Sequence, residues 1–159
     1  MQHDPRPAPA AAHLERPAPP PIPPGEERLI VAIGTAACLT LLAIAIYLQP
    51  DSRGYGTHEQ LFLLPCGFYK VTSLPCPTCG MTTAYANMVR FRIGAALRAQ
   101  SFGTLLCVLS TAGGLVGLFC LTAGIPVLYR IERMSWRWPS IFLVSAFFAS
   151  WAGKALHLV

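Results

Sequence analysis

The chain reads as an all-α membrane protein, with three transmembrane helices and a cysteine-bearing interfacial or re-entrant element between the first and the second. Three observations predict this class. Only 12% of the 159 residues are charged, 53% are apolar and the mean hydropathy is +0.49, whereas an ordinary soluble domain carries roughly 25% charged residues. Seven of the 19 Asp, Glu, Lys and Arg residues fall within the first 28 positions, so the rest of the chain needs a solvent other than water. Three apolar runs are each long enough to cross a bilayer. A soluble enzyme, a nucleic-acid binder and a small disulfide-stapled secreted domain are all excluded on this balance. A net charge of +5 does not restore nucleic acid as a partner. The arginines stand at the ends of apolar runs rather than along one face.

Residues 1–28 hold 9 of the 15 prolines together with Ala and mixed charges. Proline removes a backbone donor and fixes φ, so neither helix nor sheet propagates, and a disordered Pro/Ala-rich tail is expected. Residues 29–159 then form a multi-pass membrane domain. Leu29–Leu48 is charge-free and about 30 Å long as a helix, matching the hydrocarbon core. Arg28 and Tyr47 stand at its ends as interfacial anchors. A second span is expected at Phe102–Ile125, with Ser101 as N-cap and Gly124 and Pro126 as the stop. Gly113 and Gly117, four apart, would let another helix approach. The third span runs from Trp138 to Leu156, behind Trp136, Arg133 and Arg137. Lys154 in its last turn is expected to snorkel to the interface.

The element at 56–100 is neither a loop nor a clean span. Val71–Val89 is uncharged, but Pro75, Pro77 and Gly80 break it, and broken backbone survives at membrane depth only when protein shields it. Met81, Ala84, Tyr85, Met88 and Val89 share one helical face, while Thr82, Thr83, Asn87 and Arg90 share the other. A short amphipathic helix at the interface is expected, with Arg90 and Arg92 at its C-terminal end or on anionic headgroups. Directly before it stands Cys76-Pro77-Thr78-Cys79-Gly80. Two cysteines three apart at a helix start sit near unsatisfied backbone N–H groups, which lower a thiol pKa. With Cys66 and His58 they make a Cys₃His set, which zinc accepts. A disulfide, a metal site and free reactive thiols all remain open. Cys38, Cys107 and Cys120 fall inside spans as small core residues. His3, His13 and His157 have no partner in the pattern.

The motif Cys76-Pro77-Thr78-Cys79-Gly80-Met81-Thr82 resembles that of a bacterial family of small multi-pass membrane proteins marked by C-P-x-C-G-x-T, a domain of unknown function. Gly56-Thr57-His58-Glu59-Gln60-Leu61 and Leu64-Pro65-Cys66-Gly67-Phe68 resemble the pattern in one branch of it. The resemblance covers roughly the middle third of the chain and implies a multi-pass location without an activity. Many members follow the motif threonine with arginine, where this chain has Thr83.

Two function classes follow. The first is a non-enzymatic protein of the cell membrane, whose cysteine element is structural or metal-binding, with the lipid bilayer and other membrane proteins as partners. The second is a membrane thiol–disulfide oxidoreductase using the Cys76/Cys79 pair. No βαβ pattern exists for a thioredoxin-like domain, and no G-x-S-x-G, P-loop or H-E-x-x-H motif appears. The first class is preferred. Charge leaves orientation open: three spans place six Lys and Arg residues on each side, which offers the positive-inside rule no choice.

Overall fold

A computed structural model of the chain describes residues 24–64, 66–72, 75–128, 131 and 135–156. The proline-rich stretch before residue 24, and with it His3, His13 and His157, lies outside the described residues. Among the described residues six helices are delimited in order: α1 (Pro24–Tyr47), α2 (Gly67–Thr72), α3 (Met81–Met88), α4 (Ile93–Ala99), α5 (Ser101–Ala123) and α6 (Arg137–Leu156). A 3₁₀ turn, Thr57–Leu61, precedes α2. No strand occurs among the described residues. Three of the helices are long and apolar enough to cross a membrane: Gly25–Tyr47, Ser101–Ala123 and Arg137–Leu156.

The boundaries differ from the sequence expectation in instructive ways. Helix α1 starts at Pro24, so residues 24–28 are its first turns rather than the end of the tail. Proline is tolerated there because its missing N–H would have no intrahelical partner. Glu26 and Glu27 occupy that first turn, where the helix dipole favours carboxylates. The buried Glu27 also accepts the backbone N–H of Leu128 at 2.8 Å, joining the start of α1 to the segment after α5. Gln100, not Ser101, is the N-cap of α5. Ser101 lies inside the helix and donates its hydroxyl to the Leu97 carbonyl at 3.1 Å. The expected stop holds: Gly124 takes the left-handed conformation and returns its N–H to the Cys120 carbonyl.

Helices α1 and α5 run antiparallel in close contact. Gly114 of α5 faces Cys38 and Leu39, and Gly117 faces Thr35. A Cβ at Gly117 would overlap the Thr35 hydroxyl. Gly117 therefore meets the expectation of a close helix approach, and the second contact residue is Gly114, since Gly113 reaches only the Cys38 sulfur. Helix α6 meets the start of α5 near its own C-terminal end. The Phe102 and Phe147 rings stand edge to face there at 5.3 Å, and the Ser150 hydroxyl accepts the Phe102 N–H at 3.2 Å.

Apart from Leu48, the described interior is built of small and polar side chains. Ala45, Ala84, Ala86, Ala96, Ala99, Cys107, Cys120, Thr57, Thr83 and Thr104 are buried, whereas Ile33, Ile46, Leu115, Phe119 and Phe142 are more than 60% exposed. A water-soluble protein places its large apolar residues inside. The reverse arrangement suits a bilayer, in which small residues let helices approach and large ones face the acyl chains.

The segment between α1 and α5 returns to the end of the bundle from which it left. Its helices have six to eight residues, and eight residues rise only about 12 Å. Helix α3 lies against α5, with Ala84 close to Gly103 and the Tyr85 hydroxyl 2.9 Å from that of Ser110. Ala84 of its expected apolar face is buried, and so are Thr83 and Asn87 of its expected polar face. Thr83 is fully buried, its hydroxyl 2.8 Å from that of Thr57, and Asn87 donates to the Thr83 carbonyl at 2.9 Å. Arg90 does serve a helix C-terminus, donating to Ala86 at 2.7 Å. It also reaches the last carbonyls of α1, at Ala45 and Ile46, 3.2 and 3.0 Å away.

Candidate metal centre

Cys66 stands just before α2, and Cys76 and Cys79 stand in the turn before α3. Although ten residues separate Cys66 from Cys76, the three sulfurs lie within 4.8 Å of one another. All three cysteines are half-buried and carry no disulfide. The Cys79 N–H donates to the Cys76 carbonyl at 3.1 Å, closing the turn over Pro77 and Thr78, and Met81 N–H donates to Thr78 at 3.2 Å. Gly80 joins this turn to α3 with φ +91, where a side chain is strained. A Cβ at Gly80 would also lie 2.6 Å from the Ala99 carbonyl oxygen and 2.8 Å from that of Gly54.

Every second carbonyl of the cysteine loop is held from outside. Trp151 Nε1 donates to Pro75 at 2.9 Å, Gln100 Nε2 to Pro77 at 2.6 Å and Lys154 Nζ to Cys79 at 2.8 Å. Lys154 also donates to the last carbonyl of α4, Ala99, at 3.0 Å, and Ser150 donates to the Gln100 amide oxygen at 3.0 Å. One face of α6, formed by Ser150, Trp151 and Lys154, thus clamps the loop onto the start of α5. Spacing in the sequence did not point to these residues. The available signal was Lys154, a charge in the last turn of an apolar helix, and its ammonium binds carbonyls instead of only snorkelling.

The two motif thiols have opposite environments. Burial pushes the Cys76 thiol up, but the Thr78 hydroxyl at 3.2 Å, the Thr78 and Cys79 backbone N–H groups and Cys66 outweigh it and hold the group below its ordinary value. Burial, first of all, and then the neighbouring Cys66 and Cys76 push Cys79 up to about 12. The helix-start reasoning therefore succeeds for Cys76 and fails for Cys79. In a cluster of thiols the first thiolate to form opposes the next.

His58 lies in the 3₁₀ turn and is not a member of the three-sulfur group. Its neighbour Thr57 is fully buried, bonded to Thr83 and to the Asp51 N–H at 3.0 Å, and pins that turn against α3. Thr83, at the position where the resembled family often carries arginine, is thus a structural tie. Cys107 and Cys120 are buried in α5, and Cys38 is half-buried against Gly113 and Gly114.

Three half-buried sulfurs on a braced loop can close a disulfide between two of them or place three thiolates around one ion. Zinc takes thiolate ligands at about 2.3 Å in tetrahedral geometry, which separates sulfurs by about 3.8 Å, inside the 4.8 Å that bounds the three. The chain matches the family described as "Protein of unknown function (DUF2752)" over residues 66–113. That match begins at Cys66, runs through the cysteine loop, α3 and α4, and ends within α5. No curated protein and no solved structure matches the chain.

Proposed function

We propose that this chain is a non-enzymatic, multi-pass protein of the bacterial cell membrane whose Cys66, Cys76 and Cys79 thiolates hold a zinc ion at the membrane interface. The observation that carries the reading is the convergence of three sulfurs within 4.8 Å from two separate segments. Zinc bound there would cross-link the start of α2 to the start of α3, a structural contribution of the kind small metal sites make. The bacterial setting is supported by the resemblance of the C-P-T-C-G-M-T stretch, and the bilayer by three long apolar helices. The fourth position would be filled by water, or by His58 after movement of its turn.

The protein, purified in mild detergent, is expected to hold about one zinc per chain by elemental analysis. Cys66→Ser, Cys76→Ser and Cys79→Ser are each expected to lose it. His58→Ala separates the two sources of a fourth ligand: retained zinc assigns the position to water. Metal content unchanged in all three cysteine variants would refute the site.

The second reading, a thiol–disulfide oxidoreductase, is favoured by one specific feature: adjacent, half-buried Cys76 and Cys79 in contrasting environments. In metal-stripped protein at pH 8, the lowered Cys76 group is the more ionised and is expected to alkylate first. Cys79, pushed up to about 12 by burial and its neighbouring thiols, stays protonated at that pH. Redox exchange predicts fast capture of Cys76 by a disulfide reagent, followed by release through Cys79. Equal, slow labelling of both would remove this reading.

A further inference from the structure

Beside the cysteine loop, the end of α4, the start of α5 and the last turns of α6 enclose a cavity of about 780 Å³. Arg53, Arg98 and Lys154 line it, with the Ser101 and Ser150 side chains and an apolar wall that includes Leu97. No Asp or Glu among the described residues lines it. Arg53 is already matched by Asp51 at 2.8 Å and Glu59 at 3.4 Å. Lys154, by contrast, donates to the Cys79 and Ala99 carbonyls, and Arg98 has no ion pair among the described residues. Two positive charges therefore share one cavity that no carboxylate lines. The N-terminus of the 23-residue α5 opens on the same cavity, its Phe102 N–H held by Ser150, and adds potential of the same sign.

An anion satisfies this arrangement, and the position narrows its kind. The cavity lies where the ends of two long apolar helices meet, the depth at which a bilayer presents its headgroups. Leu97, 47% exposed, continues the apolar surface next to the two cations. We propose that this cavity binds the phosphate of an anionic phospholipid, with Arg98 and Lys154 contacting the phosphate and Leu97 the start of an acyl chain. Arginine pairs with phosphate through two parallel N–H donors. The proposal rests on the bilayer placement and is independent of the metal.

The test uses the full-length protein in mild detergent, with native mass spectrometry reading bound phosphatidylglycerol, phosphatidylcholine and inorganic phosphate. Phosphatidylglycerol is expected to be retained in preference to the other two. Arg98→Gln, on an exposed side chain, is expected to weaken it about fivefold. Arg92→Gln, outside this cavity, should change it less than twofold. Arg98→Gln should leave melting temperature and zinc content unaltered, which separates a binding defect from a folding defect. Equal weakening by both variants would assign the lipid to diffuse surface charge and overturn the site. Arg98-dependent capture of inorganic phosphate with no preference for the lipid would overturn the lipid as ligand. Absence of bound phosphatidylglycerol on a protein that still resists carbonate extraction from membranes would overturn the cavity while leaving the membrane reading intact.

Discussion

Gly80 shows how much a single residue carries at this site. It ends the cysteine turn, begins α3 and takes φ +91, with two backbone carbonyl oxygens where a side chain would go. Gly80→Ala is expected to destabilise the protein by about 1–3 kcal/mol from backbone strain, because backbone oxygens, unlike side chains, cannot swing aside. The measurement is a thermal melt in detergent alongside zinc content. An unchanged melt with full metal occupancy would show that the turn does not need this conformation. The glycine and both cysteines could be read from the motif, since tight turns and thiol pairs have local signatures. Lys154, Trp151 and Gln100 could not, because their partners are backbone carbonyls 75, 76 and 23 positions away. A carbonyl carries no mark in the sequence.

Between elements, the α1–α5 contact offers a clean test. Gly117 admits Thr35, whose buried hydroxyl has no partner among the described residues. Gly117→Ala is expected to cost about 1–3 kcal/mol through overpacking. Thr35→Ala should be neutral or stabilising, and the double variant should recover most of the loss, since the overlapping atom is then gone. A melt series on the four proteins checks this, and strict additivity would mean that the two residues do not meet. Helix α3 teaches the complementary lesson. Its 3.6-residue period was legible, but the burial of residues on both faces was not. Thr83 and Asn87 are buried because Thr57 and the Thr83 carbonyl supply hydrogen bonds that make polar burial tolerable.

At the scale of the molecule, the chain is an inside-out bundle whose chemistry gathers at one end. The C-terminal ends of α1 and α6, the N-terminus of α5 and the whole segment between α1 and α5 meet there, carrying Arg53, Arg92, Arg98 and Lys154. Reporter fusions after Ser52 and after Gln100 are therefore expected to report the same side of the membrane, and a fusion after Ser135 the other. Opposite readings at Ser52 and Gln100 would require a fourth crossing within the segment. Charge counting favours neither side for three spans, with six basic residues on each, whereas a fourth crossing would set seven against four. The helices described in the segment, of six to eight residues, are each too short to span, which argues against a fourth crossing.

Sequence alone determined the helical class, the three apolar spans, the broken element between the first two and the pair Cys76 and Cys79. Each is a local property: a long charge-free run, a proline or glycine that interrupts one, a three-residue spacing. Tertiary structure decided the rest. It brought Cys66 to the pair and left His58 outside the group, buried residues of both faces of α3, and made the last turns of α6 the brace of the cysteine loop. These outcomes depend on which surfaces meet once the helices stand side by side. Backbone groups and small residues make most of those contacts, and neither leaves a periodic trace along the chain.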